Sequence, residues 1–218
     1  MRFLLWLFIS LLSLSASAVV IRHDVESAGY RVAESDFPFM ADLPVEGHGV
    51  LIAPQWIATA AHAVAWQSQL RQITLNGVSR EVERLVIHPA YKKPPQALLE
   101  QALEAWDWTL FRAFLSSSAD IALVKLKEPV TDVSPVPISD RADEYGKTVQ
   151  IIGKGATGNG VDGYDFDGPH RTELRRAHNR VSSAHDGWFC YRFDGLSDAL
   201  PLEGGSGSGD SGGAVLIE

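Results

Sequence analysis

The sequence predicts an all-β protein of antiparallel sheets, closed as barrels or stacked as a sandwich. Three observations carry this. Short apolar or alternating runs recur along the chain, and clusters of Gly, Pro, Asn and Asp separate them. Nowhere do strands and helices alternate at the spacing that a parallel sheet needs. The 218 residues hold 45% hydrophobic and 21% charged side chains, ordinary globular usage that supplies a packed core without internal repeats.

The elements follow in order. Arg2, the apolar run Phe3 to Leu14 and the small residues Ala16-Ser17-Ala18 fit a secretory signal peptide over residues 1–18. The run is too short for a stable membrane-spanning helix, which needs about 20 apolar residues. Strands are expected at Gly49–Ala53 and Trp56–Ala60 around a Pro54-Gln55 turn, then at Gln72–Leu75, Glu81–Ile87, Ile121–Leu126, Thr148–Ile152 and Ala214–Ile217.

Between Pro94-Pro95 and Phe114 the strand pattern stops. Leu98, Ala102, Leu103, Trp106, Leu110 and Phe114 recur at steps of three and four, the stripe of one amphipathic helix over residues 95–114. It is read as an insertion packing on the sheets, in preference to a lid or exosite beside a cleft. The stretch 153–170 is rich in Gly, Asp and Asn. Asp162, Asp165 and Asp167 lack the glycine and closing glutamate of an EF-hand loop, so a solvated acidic loop is expected and no metal.

Cys190 is the lone cysteine, which leaves no internal disulfide, and its neighbours Trp188, Phe189 and Tyr191 mark it as a small buried hydrophobe. The net charge of −8, with no run of Lys or Arg, argues against a nucleic-acid partner, because phosphate binding needs a basic face.

Three pieces carry chemistry. In Gly207-Ser208-Gly209-Asp210-Ser211-Gly212-Gly213, glycines flank a serine and an apolar strand follows at once. A nucleophilic serine needs such a tight turn, with backbone N–H groups aimed at the carbonyl oxygen under attack. His62 ends the apolar strand and closes the motif TAAH. Asp120 opens DIALVKL, where a partly buried carboxylate is tolerable if it accepts a hydrogen bond from an imidazole.

TAAH, DIALVKL and GDSGG, in the order His, Asp, Ser, resemble the trypsin/chymotrypsin family of serine proteases, and the resemblance runs from about residue 19 to residue 218. Leu51 to Trp56 and Gly153-Lys154-Gly155 are similar to the family as well. The resemblance implies two antiparallel six-stranded β-barrels with the site between them, residues 19–130 forming the first and 131–218 the second. It also implies further strands and a C-terminal helix after the Ser211 strand, so the second barrel is expected to be incomplete at its C-terminus.

By the same resemblance His62, Asp120 and Ser211 are catalytic, and the N–H groups of Gly209 and Ser211 form an oxyanion hole. Asp210 would pair with a freed N-terminal ammonium. The segment Val19-Val20-Ile21 is apolar enough for that role, although Arg22-His23-Asp24 lacks the glycines usual there. Gly205 and Ser206 stand at the primary specificity pocket, where trypsin-like enzymes that take Lys or Arg carry an aspartate, so a neutral residue is expected. Ala63 replaces the cysteine of animal members, which marks a bacterial-type, disulfide-free member.

The function implied is a secreted or periplasmic serine endopeptidase, monomeric, acting on polypeptides, without cofactor and without membrane association once the signal is removed. The competing expectation is a silent or truncated homologue that serves as a binding module.

Overall fold

The computed structural model describes residues 19–67, 69–164, 171, 173–185 and 187–218. Segment 1–18, where a signal peptide is expected, lies outside the described residues, as do Asp165 and Asp167. Strands make up most of the regular structure, and they fall into one closed barrel and two open sheets.

A short strand β1 (Val19–Ile21) comes first and does not join the barrel. The barrel consists of β2 (Met40–Asp42), β3 (His48–Ala53), β4 (Trp56–Thr59), β5 (Gln72–Leu75), β6 (Val78–Ile87) and β7 (Ala122–Leu126). Its order is β2-β3-β4-β7-β6-β5, closed by the antiparallel pairing of Ala41 with Leu75. Alternation along the strands sends Leu51, Ile57, Ile73, Leu75, Val124 and Leu126 inward, all essentially buried. Each such side chain contributes roughly 1.5–3 kcal/mol of hydrophobic stabilisation.

The second half follows β8 (Thr148–Gly153), β9 (Thr157–Asn159), β10 (Gly163–Tyr164), β11 (Arg175–His185), β12 (Trp188–Tyr191), β13 (Gly204–Gly205) and β14 (Val215–Ile217). Among the described residues these form two four-stranded sheets, β12-β11-β8-β14 and β10-β9-β1-β13. The N-terminal strand β1 thus lies between β9 and the strand that leads to the Ser211 turn. A small core of Phe37, Met40, Ile152, Leu174 and Ala214 seals the two halves together.

The expected strands all form, with ends shifted by up to three residues. The single helix expected over 95–114 does not. Two helices stand there, α2 (Gln96–Ala105) and α3 (Thr109–Ser116), numbered after the one-turn α1 (Ala61–Val64). Trp106 breaks the run by adopting a left-handed conformation (φ 52°), and the Asp107 carboxylate then accepts from the Thr109 N–H to start α3. The hairpin packs lightly: Ala102 is the one buried residue of α2, and α3 buries none.

Cys190 also departs from expectation. It is exposed, because among the described residues β12 is the edge strand of its sheet, paired with β11 alone.

Candidate active site

Each sequence-marked side chain reaches the cleft by a short local device. Strand β4 ends at Thr59, and the single turn α1 that follows buries Ala61, Ala63 and Val64 while turning His62 outward. Asp120 precedes β7 and is partly buried, as the sequence implied, with its side chain 30% exposed. The Ser211 turn is folded by its own glycines. Gly209 (φ 89°) and Gly212 (φ 76°) take left-handed conformations, and a Cβ on Gly212 would collide with the His48 carbonyl oxygen and Thr59 Oγ1.

The structure brings His62, Asp120 and Ser211 together. His62 Nδ1 lies 2.6 Å from Asp120 Oδ2, and His62 Nε2 lies 2.8 Å from Ser211 Oγ. The His62 backbone N–H donates to the other carboxylate oxygen at 2.8 Å, which fixes the carboxylate plane relative to the ring. Burial pushes the Asp120 carboxyl up, but the His62 imidazole and the backbone N–H groups of His62 and Ala61 outweigh it, and the group sits below the usual carboxylate range. Asp120 is therefore ionised near neutral pH. It selects the tautomer with the proton on Nδ1, which leaves Nε2 as the acceptor facing the serine hydroxyl.

The Asp210 carboxylate is turned inward. Its Oδ1 accepts from the Gly155 N–H at 2.7 Å and its Oδ2 from the Gly207 N–H at 2.8 Å, so it ties the start of the turn to the segment that follows β8. Among the described residues no group accepts from the N–H of Gly209 or Ser211. Val19 is fully buried with a positive φ of 67°, and Val20 and Ile21 pair with Gly205 and Gly204 directly upstream of the turn. Gly205 and Ser206 lie under Tyr191, whose phenol oxygen is 3.1 Å from Ser206 Oγ.

Three cavities share His62 in their walls. One of about 250 Å³ is lined by Glu46, Trp66, Ser208, Gly209 and Ser211. On the other side of His62, cavities of about 630 and 280 Å³ are walled by Tyr91, Pro94, Leu99, Phe111 and Leu115. The α2–α3 hairpin is therefore a wall of the cleft and not an element packed away on the barrel. Sequence reasoning missed Trp66, Tyr91, Tyr191 and Glu46, none of which belongs to a motif.

Beneath the turn lies an ion cluster that also went unread. Lys154 Nζ pairs with Asp42 at 2.9 Å and Glu34 at 2.8 Å, and His48 Nδ1 faces Asp42 at 3.1 Å. Burial pushes the Asp42 carboxyl up, but His48 and Lys154 outweigh it and hold the group at about 2, against an ordinary value of 3.8. A depressed folded value means that the stabilisation is present above pH 4 and is lost as the pH falls towards 2. The shift corresponds to roughly 2 kcal/mol. Acid unfolding followed by circular dichroism should show Asp42→Asn less stable than the parent at pH 6, with the gap closing by pH 2.

The trypsin family model matches residues 27–218. The chain belongs to the trypsin family. Among this family's members, rat (Rattus norvegicus) trypsin V-A and trypsin V-B are each 27% identical to it over 214 residues, covering 86% of this chain and 72% of theirs. Mouse neuropsin, a serine protease expressed in the limbic system of the brain, superposes with a TM-score of 0.59 at 18% identity, covering 87% of this chain and 81% of its own. That likeness shows the fold, a mostly β architecture with the two-barrel arrangement of trypsin-like serine proteases. Among the described residues of this family member, no helix is long and apolar enough to cross a membrane.

Proposed function

We propose that this trypsin-family chain is an exported serine endopeptidase that cleaves polypeptides through an acyl-enzyme. The observation that carries the reading is the unbroken line Asp120–His62–Ser211, with links of 2.6 and 2.8 Å beside an open cleft. Ser211 Oγ attacks the scissile carbonyl while its proton passes to His62 Nε2. The tetrahedral oxyanion takes hydrogen bonds from the Gly209 and Ser211 N–H groups. As the C–N bond breaks, His62 returns the proton to the leaving amine. Asp120 stabilises the imidazolium in between, and water attacks the acyl-enzyme by the same route reversed.

Gly205 and Ser206, in contact with Tyr191, carry no carboxylate just upstream of the turn, which supports a neutral residue on the acyl side of the scissile bond. Export follows the signal-like segment 1–18, and removal of that segment frees Val19, whose ammonium would join the amide donors around Asp210. The mature enzyme works as a secreted or periplasmic monomer.

A fluorophosphonate probe tests the reading, because it labels only a serine activated by a base beside an oxyanion hole. The parent chain should label at Ser211 and cleave a neutral-residue peptide amide. A folded chain that neither labels nor cleaves would leave the silent-homologue reading in its place.

A further inference from the structure

The residues behind the Ser211 turn are charged where a packed apolar floor would be simplest. His48 is 1% exposed, and it touches the turn through its backbone and the floor through its ring. Its N–H donates to the Ser211 carbonyl oxygen at 2.7 Å, and its own carbonyl oxygen accepts from Thr59 Oγ1 at 2.6 Å. Its Nε2 accepts from the Lys154 backbone N–H at 3.1 Å. The next N–H groups along that segment continue the contact: Gly155 donates to Asp210 Oδ1 at 2.7 Å, and Ala156 donates to the Ser208 carbonyl oxygen at 2.5 Å.

Two consecutive N–H groups, at 155 and 156, therefore donate to the turn that carries Gly209 and Ser211, and the one before them, at 154, donates to the His48 ring that sits under it. The side chains that anchor that segment are the Lys154 ammonium, which is clamped between Asp42 and Glu34, and the imidazole acceptor of His48, beside the backbone bond from the Arg171 N–H to the Lys154 carbonyl oxygen. The ring acts as a neutral group there. Nε2 has to keep its lone pair to accept from the Lys154 N–H, so the single proton sits on Nδ1, on the side of Asp42.

We propose that His48 and Lys154 are positioning residues for peptide-bond cleavage, bracing segment 154–156 so that the Gly209 and Ser211 N–H groups are held at the oxyanion position. The inference rests on the serine-endopeptidase reading. Neither side chain reaches the substrate. Both act through the backbone that supports the turn, so their loss lowers turnover and leaves ground-state binding nearly untouched.

The test compares His48→Phe, which removes the acceptor, and Lys154→Met, which keeps the apolar stem, with His48→Gln and Lys154→Arg. Glutamine offers a carbonyl oxygen near the place of Nε2, and arginine keeps the ion pairs. Steady-state cleavage of one peptide amide is measured below each variant's melting temperature. His48→Phe and Lys154→Met should each lose about tenfold to a hundredfold in kcat with KM within about threefold, the scale of a misplaced oxyanion donor. His48→Gln and Lys154→Arg should recover most of the loss.

If His48→Phe does not fold, His48→Asn takes its place, being polar but too short to reach the Lys154 N–H. Parental kcat in folded His48→Phe and Lys154→Met, or losses that the conservative variants do not recover, would overturn the proposal while leaving the protease reading intact. A parent chain without activity would overturn both.

Discussion

Replacing Ser211 by alanine is expected to lower kcat for peptide-amide cleavage by roughly a millionfold, with His62→Ala falling to nearly the same level. The two are not additive. His62 Nε2 lies 2.8 Å from Ser211 Oγ and has no other proton to take in the first step, so removing either partner removes the same event. Asp120→Asn should cost about ten thousandfold. An amide in place of the carboxylate presents an N–H to His62 Nδ1, or a weaker acceptor, and the ring is then free to point a proton at Ser211 instead of a lone pair. Binding of an uncleaved peptide, followed by calorimetry or fluorescence, should survive all three changes within a few-fold. Cleavage near the parental rate by folded Ser211→Ala would remove the serine from the mechanism.

The second large effect is expected at Asp210. Its carboxylate takes the N–H groups of Gly155 and Gly207, and a Cβ on Gly153 would run into it, so the group fills a closed backbone niche. In Asp210→Ala both donors lose their acceptor in a site where water has little room, at about 1–3 kcal/mol for each. The turn that carries Gly209 and Ser211 then loses its side-chain tie to the Gly155 segment and keeps only backbone ties, such as Asp210 N–H to the Gly207 carbonyl oxygen at 3.2 Å. Turnover should fall by roughly a hundredfold to a thousandfold, and fluorophosphonate labelling should slow in parallel, because both need the oxyanion donors in place. Asp210→Asn is the informative companion. It keeps the shape but offers one acceptor oxygen for two donors, so its labelling rate should fall between those of the parent and the alanine variant. Equal labelling by all three would show that the turn holds itself.

The candidate site was legible because the chemistry proposed for it demands contiguity. The serine turn must contain glycines beside the nucleophile, and His62 and Asp120 must end and open apolar strands, so each leaves a local mark in the sequence. The supports around them leave none. Strand β11 is the longest among the described residues, yet its buried positions include Arg175 and Asn179 beside Ala177 and Val181, and no apolar alternation signals it. Lys154 reads as a solvated loop lysine until Asp42 and Glu34, more than a hundred residues away, close on it. The helical stripe misled for a different reason. Leu103, Trp106 and Leu110 keep helical spacing across a backbone break and point to solvent, while Leu99, Phe111 and Leu115 face the cleft. Periodicity records spacing, and it does not record which side finds a partner.

The light packing of the α2–α3 hairpin divides the molecule into layers of unequal cohesion. With Ala102 as its one buried residue, the hairpin can detach at a small fraction of the free energy needed to open the barrel, whose strands are closed into a ring. Its amide protons will exchange with solvent through this local opening while those of β3, β4 and β7 wait for global unfolding. One wall of the cleft therefore belongs to the least cohesive layer and the His62–Asp120 pair to the most cohesive. Warming is expected to loosen the Leu99 and Phe111 wall well before it disturbs the His62–Asp120 pair.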